Sequence, residues 1–147
     1  MSEIRLKKIH PEAVVPTYGT DFSAGADLYA LLEGESVTVA PGEQYMVHTG
    51  ISLEIPDGYA GFIFARSGLA SKKGLAPANK VGVIDSDYRG EIMIPLFNHS
   101  ASEKTIANKE RVAQIVFLPY LKADFLIADE LDDSERAAGG FGSTGEK

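Results

Sequence analysis

The sequence predicts an all-β single domain, an antiparallel sandwich or barrel with one short helix and a flexible C-terminal arm. Fifteen Gly and seven Pro are spread along the 147 residues and divide them into short segments. Several of these segments alternate apolar with polar residues or are rich in β-branched and aromatic side chains, which favours strands. The mass of 15.8 kDa allows one domain with a substantial core.

The strands are predicted from short patterned runs that end at turn signals. The run 51–55 alternates apolar with polar residues, and Ile92, Ile94 and Leu96 share one face of the run 91–98. One or two helical turns are predicted over 66–73. The predicted strands are 4–9, 36–40, 44–49, 51–55, 59–65, 81–84, 91–98, 111–120 and 122–128. The turn signals are Pro41-Gly42, Pro56-Asp57-Gly58 and Asn98-His99-Ser100.

The C-terminal segment differs in composition from the rest of the chain. Residues 129–135 hold five acidic groups, and 136–145 contain four Gly, which disfavours packing as a strand or helix. We therefore expect a β-barrel domain over 1–128 and, over 129–147, an acidic linker that continues into a Gly-rich arm.

Composition argues against several classes of protein. Fourteen Lys and Arg against 21 Asp and Glu give a net charge of −7, and such a surface repels a phosphate backbone, so we expect no nucleic-acid partner. Absence of Cys excludes disulfides, thiolate zinc sites and Cys nucleophiles. The first residues lack a signal-peptide pattern, and no apolar run reaches the ~18 residues that span a bilayer, so we expect a cytoplasmic protein without a membrane partner.

An anion site is predicted where a helix follows the apolar run 62–64. Arg66, Ser67 and Gly68 come directly after it, so that backbone N–H groups at a helix start are joined by a guanidinium group. The alternative interpretation of this segment is an ordinary helix cap.

The segment 82–90 combines three kinds of side chain that are typical of a site. Asp85 directly follows an apolar run and therefore lies at the end of a predicted buried strand, and Tyr88 and Arg89 come soon after it. A carboxylate, a flat ring and a cation within five residues indicate chemistry, although a simple hairpin loop is the alternative.

Two further segments, at the start of a predicted strand and in the Gly-rich arm, carry polar groups. Arg111 and Gln114 open a predicted strand and would point to opposite faces unless a bulge intervenes. In the Gly-rich arm, a Phe can stack on a flat ring while an Arg and two hydroxyls hold phosphate; a disordered terminus is the alternative. These arm residues are Arg136, Phe141, Ser143 and Thr144. The three His residues show neither metal-ligand spacing nor a catalytic triad.

Taken together, these segments closely resemble the trimeric dUTPases. That family has five ordered motifs, and five matching segments occur here in the same order, spanning residues 24 to 145. The segments are Ala24-Gly25-Ala26-Asp27-Leu28, Arg66-Ser67-Gly68-Leu69-Ala70, Gly82 through Gly90, Arg111-Val112-Ala113-Gln114, and Arg136 through Gly145. The resemblance implies a jelly-roll-like subunit in a homotrimer that hydrolyses dUTP to dUMP and pyrophosphate with Mg²⁺. Such an activity limits uracil incorporation into DNA and supplies dUMP for thymidylate synthesis.

The resemblance also implies roles for individual residues. Asp85 activates the attacking water, Tyr88 lies under the deoxyribose, Asp27 acts near the metal through water, and Arg111 supports the site. Asn79 and the 79–85 hairpin contact uracil. The hairpin residues concerned are Gly82, Val83 and Ile84. The phosphate contacts are Arg66, Ser67, Gly68 and Gln114. An arm from another subunit supplies Arg136, Phe141, Gly142, Ser143 and Thr144.

Two departures from the family pattern and two rival functions remain. Lys109, in the turn before the fourth segment, and Ala137, next to Arg136, stand where the family often has Gly. Because Ala restricts φ and Gly does not, we expect Ala137 to make closure of the arm stiffer. A dCTP deaminase shares the fold by resemblance, but it has an Arg-Ser-Ser segment and a Glu near the base. The other rival is a jelly-roll binding module that keeps the pocket and does no chemistry.

Overall fold

The computed structural model describes residues 3–134 and 137–139 of the chain, and strands dominate that part. They are β1 (Arg5–Lys8), β2 (Thr17–Tyr18), β3 (Ala26–Tyr29), β4 (Ser36–Val39), β5 (Gln44–His48), β6 (Ile51–Glu54), β7 (Tyr59–Phe64), β8 (Leu75–Pro77), β9 (Gly82–Ile84), β10 (Met93–Asn98), β11 (Lys104–Ala107) and β12 (Arg111–Pro119). One π-helical turn, Leu69–Lys73, lies between β7 and β8. The prediction of an all-β domain with one short helix is confirmed.

The strands pair in four antiparallel groups. The largest is a five-stranded sheet in the order β2-β3-β12-β7-β9, in which β12 is the central strand. A second sheet has the order β5-β10-β8, and two further pairs are β1-β6 and β11-β4. Most paired strands are distant in sequence, so residues from separate motifs come together where these strands begin or end.

The core forms where the predicted alternation places apolar side chains on one face. Ile94 and Leu96 in β10 and Ile51 in β6 are fully buried, as the period-two pattern predicts. Asn98 is also fully buried, at the end of β10. Its amide donates to the carbonyl oxygens of Val39 and Ser102 at 2.9 and 2.8 Å. This buried amide therefore ties β10 to β4 without an unpaired polar group.

The strand prediction fails in two ways. The strand predicted over 122–128 is wrong, because residues 121–134 have no regular structure and are exposed; Phe125 and Ile127 are each 96% exposed. Four strands were not predicted: β2, β3, β8 and β11. In β3 three of four residues are buried, so no alternation exists, and in β11 only Ile106 is buried. Short strands of this kind carry too little pattern to detect.

Lys109 lies in the left-handed region, with φ 63°, in the turn before β12. Its ammonium group contacts Glu12 Oε2 at 3.0 Å on the surface. We expect Lys109→Gly to be more stable than Lys109→Ala by about 1 kcal/mol, because both lose the ion pair but only Gly relieves the backbone strain. Urea unfolding of both variants at one protein concentration measures the difference. Equal stabilities would contradict the strain argument.

Among the described residues, no helix has the length and apolar character needed to cross a bilayer.

Candidate active site

A cleft of about 400 Å³ opens where β3, β7 and β12 meet the loop that leads to the helical turn. We call it the Arg66 cleft. It brings together residues from three of the five motifs that are far apart in sequence: Asp27, Arg66, Ser67, Gly68, Arg111 and Gln114. Their convergence follows from the sheet order, since β12 pairs with β3 on one side and with β7 on the other.

The carboxylate of Asp27 organises the two arginines of the cleft. Arg66 Nε donates to Asp27 Oδ1 at 2.6 Å, and Arg111 Nη1 donates to Asp27 Oδ2 at 3.2 Å. Asp27 is buried, whereas the Arg66 and Arg111 side chains remain 27% and 50% exposed. Each guanidinium has five N–H donors, so both retain donors for an anion after binding Asp27. The cleft is therefore a pre-oriented cationic site.

A bulge places Arg111 and Gln114 in the same cleft. The register of β12 against β3 shifts between Arg111 and Ala113, so the two polar side chains no longer alternate across the sheet. The sequence predicts that Arg111 and Gln114 share a face only if a bulge intervenes, and the presence of this bulge is confirmed. Gln114 Nε2 donates to Ala65 O at 2.9 Å, which orients the amide. A Cβ at Gly25 would collide with the Gln114 side chain, so Gly25 is required for this arrangement.

The segment after β7 does not behave as an ordinary helix cap. Gly68 precedes the π-helical turn with φ −65°, and in the part of the chain that the structure describes no side chain caps the turn. A Cβ added at Gly68 would meet no atom of the described residues within 4 Å. Neither its backbone conformation nor crowding by residues 3–134 and 137–139 requires glycine at this position. The cap interpretation is not supported, and the open space above Gly68 leaves room for a ligand to approach the backbone.

A second cleft of about 210 Å³ lies beside the loop between β9 and β10. We call it the Tyr88 cleft; Asp85 and Tyr88 line it together with Val83 and Ile84. The hairpin-loop alternative is wrong, because β9 pairs with β7 and β10 pairs with β5 and β8. Residues 79–85 are likewise a turn followed by β9 rather than a two-stranded hairpin, which corrects the description implied by the resemblance.

The Tyr88 ring folds back along its own loop. Tyr88 N donates to Asp85 O at 3.2 Å, and the Tyr88 hydroxyl donates to Glu91 O at 2.9 Å. A Cβ at Gly90 would collide with the ring. Arg89, by contrast, donates to the carbonyl oxygen of Ser86 at 2.6 Å and braces the loop. The loop thus presents Asp85 and Tyr88 on one side.

Asn79 lies in the turn that precedes β9, and Gly82 is the first residue of β9. Asn79 is exposed, and a Cβ at Gly82 would stand 3.3 Å from Asn79 Nδ2 and 3.3 Å from Ile63 Cβ. A side chain at Gly82 would therefore displace the Asn79 amide. Val83 is 57% exposed on the same strand, although it is apolar.

The two clefts lie at opposite ends of β7. Gln114 pairs with Phe64 on one side of β7, whereas Ile84 pairs with Gly61 on the other. Because β9 runs antiparallel to β7, Asp85 continues past Gly61 and away from Phe64. At about 3.3 Å per residue, the ends differ by about 13 Å along the strand before the sheet width is added. One chain therefore carries two separated half-sites.

Glu91 lies between the Tyr88 cleft and the turn that joins β5 to β6. Its carboxylate contacts residues at that turn. Its Oε2 lies 2.9 Å from His48 Nδ1, and its Oε1 accepts from Gly50 N at 2.8 Å. Burial acts to raise the pKa of Glu91, but the hydrogen bonds from His48 and Gly50 outweigh it and hold the pKa below its usual 4.5. Neither Glu91 nor His48 was singled out from the sequence as a site residue, since a lone Glu after Gly90 gives no signal.

The depressed pKa of Glu91 predicts how stability depends on pH. The unfolded chain binds this proton at a higher pH than the folded chain, so the stabilisation is complete above pH 4.5 and is lost as pH falls through the folded pKa. We expect Glu91→Gln to cost about 1 kcal/mol at pH 7 and progressively less below pH 4.5. Urea unfolding across pH tests this, with Glu103→Gln as the control, since the Glu103 side chain is exposed. A gap that stays constant down to pH 3 would contradict it.

The remaining sequence predictions concern a metal ion and the residues of the C-terminal arm. Within 3–134 and 137–139, no group of three or more His, Asp or Glu side chains is arranged to hold a metal ion. Ala137 has φ 42°, in the left-handed region that favours glycine. The remaining predicted arm residues lie outside the described residues: Arg136, Phe141, Gly142, Ser143 and Thr144.

Comparison with known proteins gives one consistent result. The dUTPase family model matches residues 11–145. A deoxyuridine 5'-triphosphate nucleotidohydrolase of Desulfitobacterium hafniense is 50% identical over 132 residues, which cover 89% of this chain and 87% of that protein. The dUTPase of Staphylococcus bacteriophage 80alpha, solved with dUPNHPP, is 26% identical with a TM-score of 0.89 and covers 99% of this chain and 100% of its own. A variant dUTPase of phage phi11 of S. aureus, solved to describe coordination of a structural Mg(II) ion, has a TM-score of 0.79 at 22% identity, with 88% and 98% covered.

Proposed function

This chain belongs to the dUTPase family, and on that premise we propose that it hydrolyses dUTP to dUMP and pyrophosphate. The observation that carries the proposal is the division of the motif residues into two clefts of complementary chemistry. One cleft is cationic, and the other joins a carboxylate to an aromatic ring. A nucleoside triphosphate needs both, since its phosphates are anionic, its base is flat and polar, and its sugar presents a ring face on which an aromatic side chain can pack.

The Arg66 cleft is suited to the phosphates. A triphosphate carries about four negative charges, and two guanidinium groups around one carboxylate leave a net positive site for them. In the proposed complex, Arg66, Ser67, Gly68 and Gln114 contact phosphate oxygens. Arg111 supports them through Asp27, which it shares with Arg66.

The Tyr88 cleft is suited to the nucleoside. Tyr88 lies under the deoxyribose, and the turn at Asn79 together with the backbone of β9 contacts uracil. The β9 residues concerned are Gly82, Val83 and Ile84. Cytosine would leave buried donors and acceptors unpaired at this edge, which is costly, and the base is discriminated in this way.

Magnesium enters as part of the substrate. The described residues offer no carboxylate cage, and both Asp27 oxygens face guanidinium groups, which fits an ion carried by phosphate oxygens and water with Asp27 acting only through water. When bound, Mg²⁺ neutralises charge on the phosphates. Loss of Asp27 would therefore remove the hydrogen bonds that orient Arg66 and Arg111.

Asp85 acts on the attacking water. Its carboxylate takes a proton from the water as the water oxygen bonds to the α-phosphorus. The bond from the α-phosphorus to the bridging oxygen breaks, and the electron pair leaves with pyrophosphate. Positioning and charge stabilisation carry most of such a reaction, so a single oriented carboxylate is enough.

We place the complete site at a boundary between subunits of a homotrimer. The separation of the two clefts along β7 supports this arrangement, because one nucleotide then needs the clefts of two chains. The segment after β12 supports it as well: its exposed apolar side chains need a cover. They are Leu121, Phe125, Leu126, Ile127 and Leu131. A barrel over 1–128 then provides the clefts, and the arm over 129–147 closes a neighbour's site with Arg136, Phe141, Gly142, Ser143 and Thr144.

In the cell, this reaction limits uracil incorporation into DNA and supplies dUMP for thymidylate synthesis. Absence of Cys fits a reducing compartment, which supports a cytoplasmic location. Incubation with each nucleoside triphosphate and Mg²⁺ tests the proposal, with monophosphate and pyrophosphate as the products measured. Turnover of dUTP alone is expected. Ammonia release from dCTP would indicate a deaminase, and dUTP binding without turnover a binding module.

Tyr88 provides a test of sugar selection. If the ring packs beneath the deoxyribose, no space remains for a 2′-hydroxyl, so Tyr88→Ala should narrow the ratio of kcat/KM for dUTP over UTP by about tenfold or more. Tyr120→Ala serves as the control, since Tyr120 is similarly exposed but lines neither cleft. An unchanged ratio in Tyr88→Ala would place sugar discrimination elsewhere.

A further inference from the structure

The loop that carries Asp85 and Tyr88 is fastened at its far end by a compact set of hydrogen bonds. Glu91 accepts from Gly50 N at 2.8 Å and contacts His48 Nδ1 at 2.9 Å. The next residue continues the connection, because Thr49 Oγ1 donates to Ile92 O at 2.5 Å. Ile92 N also donates to the carbonyl oxygen of Ile51 at 2.9 Å. Thus Glu91 and Ile92 are held to the β5–β6 turn by both backbone and side chain.

The turn on the other side of these bonds is itself rigid. Gly50 has φ 69°, and a Cβ there would lie 2.6 Å from Leu31 Cδ2 and 2.9 Å from Ala13 Cβ. The Gly50 carbonyl accepts from Ile9 N at 2.8 Å. The donor that Glu91 Oε1 accepts from is therefore fixed by the surrounding packing. Glu91 is bound to a reference point in the core rather than to a mobile surface group.

The backbone carbonyl of Glu91 connects this fixed point to the Tyr88 side chain. The Tyr88 hydroxyl donates to Glu91 O at 2.9 Å, and the Tyr88 ring lies against the backbone of Gly90. At the other end of the loop, Tyr88 N donates to Asp85 O. A shift of the Glu91 backbone consequently moves the tyrosine ring, and the ring moves with the segment that holds Asp85.

We propose that Glu91 is a positioning residue that sets the placement of Tyr88 and Asp85, and with it the rate and the deoxyribose selectivity of the site. The proposal rests on the proposed dUTP hydrolysis. Glu91 lines the Tyr88 cleft, yet its carboxylate is engaged on the opposite side by Gly50 and His48. It therefore acts through Tyr88 rather than by touching the reacting atoms.

The chemistry of the side chain distinguishes three substitutions. Glu91→Gln keeps the length and one carbonyl oxygen, so it still accepts from Gly50 N and retains most of the positioning. Glu91→Asp keeps the charge but is one methylene shorter and cannot reach Gly50 and His48 together. Glu91→Ala removes both contacts. The order of function expected is wild type, then Gln, then Asp, then Ala, which follows reach rather than charge.

The experiment measures kcat and KM for dUTP and UTP on the full-length variants, together with melting temperature. Glu91→Ala should lower kcat for dUTP by about tenfold or more, because small misplacements of reacting groups are costly. It should also lower the ratio of kcat/KM for dUTP to kcat/KM for UTP. Glu91→Gln should stay within about threefold of wild type in both. Ile106→Val is the matched control, since it trims a buried core residue in β11, lowers stability and should leave both quantities unchanged.

Tyr88→Phe completes the test if Glu91→Ala folds poorly. Phe keeps the ring and loses only the hydrogen bond to Glu91 O, so it should narrow the dUTP over UTP ratio in the same direction. Combined with Glu91→Asp, its effect should be less than additive, as expected for residues on one path. Additive effects, or a Glu91→Ala variant that loses only melting temperature as Ile106→Val does, would overturn the proposal. A wild-type protein that releases no pyrophosphate from dUTP would defeat the proposed function instead and remove the premise of this one.

Discussion

Asp85→Asn is expected to lower kcat for dUTP on the order of 10²–10⁴-fold while leaving nucleotide binding largely intact. The amide keeps the size of the carboxylate but has no basic lone pair to take a proton from water. Asp85 is exposed at the end of β9, so the substitution disturbs no packing in the chain. Single-turnover rates and equilibrium binding separate the chemical step from substrate affinity.

The matched control is Asp87→Asn, two residues further along the same loop, which also removes one exposed carboxylate. It should retain activity. Hydrolysis by the wild type in ¹⁸O-labelled water should place the label in dUMP and leave pyrophosphate unlabelled. An Asp85→Asn variant within a few-fold of wild type would show that another group activates water, and label in pyrophosphate would show attack at the β-phosphorus.

Removal of residues 136–147 should abolish most activity and leave the melting temperature nearly unchanged. The described core ends at β12, and residues 121–134 form no strand with the other described residues, so the barrel should hold together without the C-terminal arm. The lost activity comes from the arm, whose aromatic ring and hydroxyls cover the nucleotide in the proposed complex.

Mixing two inactive proteins tests whether the arm acts on a neighbour. The truncated chain supplies Asp85, and full-length Asp85→Asn supplies the arm. If each site takes Asp85 and the arm from different chains, random assembly of an equal mixture meets each requirement half the time, and about one site in four is complete. Refolding the mixture and measuring turnover gives the fraction. If no activity is recovered although native mass spectrometry verifies the hybrids, each arm acts on the site of its own chain.

The elements with a clear repeating pattern could be predicted from the sequence. Ile92, Ile94 and Leu96 alternate with partly exposed residues, and the strand they predict is present, although it begins at Met93. β3 was missed because burial of Ala26, Asp27 and Leu28 leaves no alternation to detect. The run 122–128 was misread as a strand, since its apolar residues satisfy the pattern but find no partner among the described residues.

The candidate site could likewise be predicted from the sequence only in part. Residue types in Arg66-Ser67-Gly68 and around Asp85 indicated an anion site and a base, because their chemistry can be read locally. Their separation along β7 could not be read, since it depends on the register of β9 and β12 against that strand. The Asp27 carboxylate between two guanidinium groups and the Glu91 contacts to Gly50 and His48 also depend on pairing of distant residues.

The central position of β12 has a consequence for amide exchange. β12 is hydrogen-bonded to β3 and β7 on its two sides, so protons around Gln114 should exchange only when the whole sheet opens. The loop after β9 has no strand partner at Asp85 or Tyr88 among the described residues, and its protons should exchange through local fluctuations. The two half-sites therefore belong to different cooperative units. Nucleotide binding should therefore slow the exchange of the loop protons more than the exchange of the protons around Gln114.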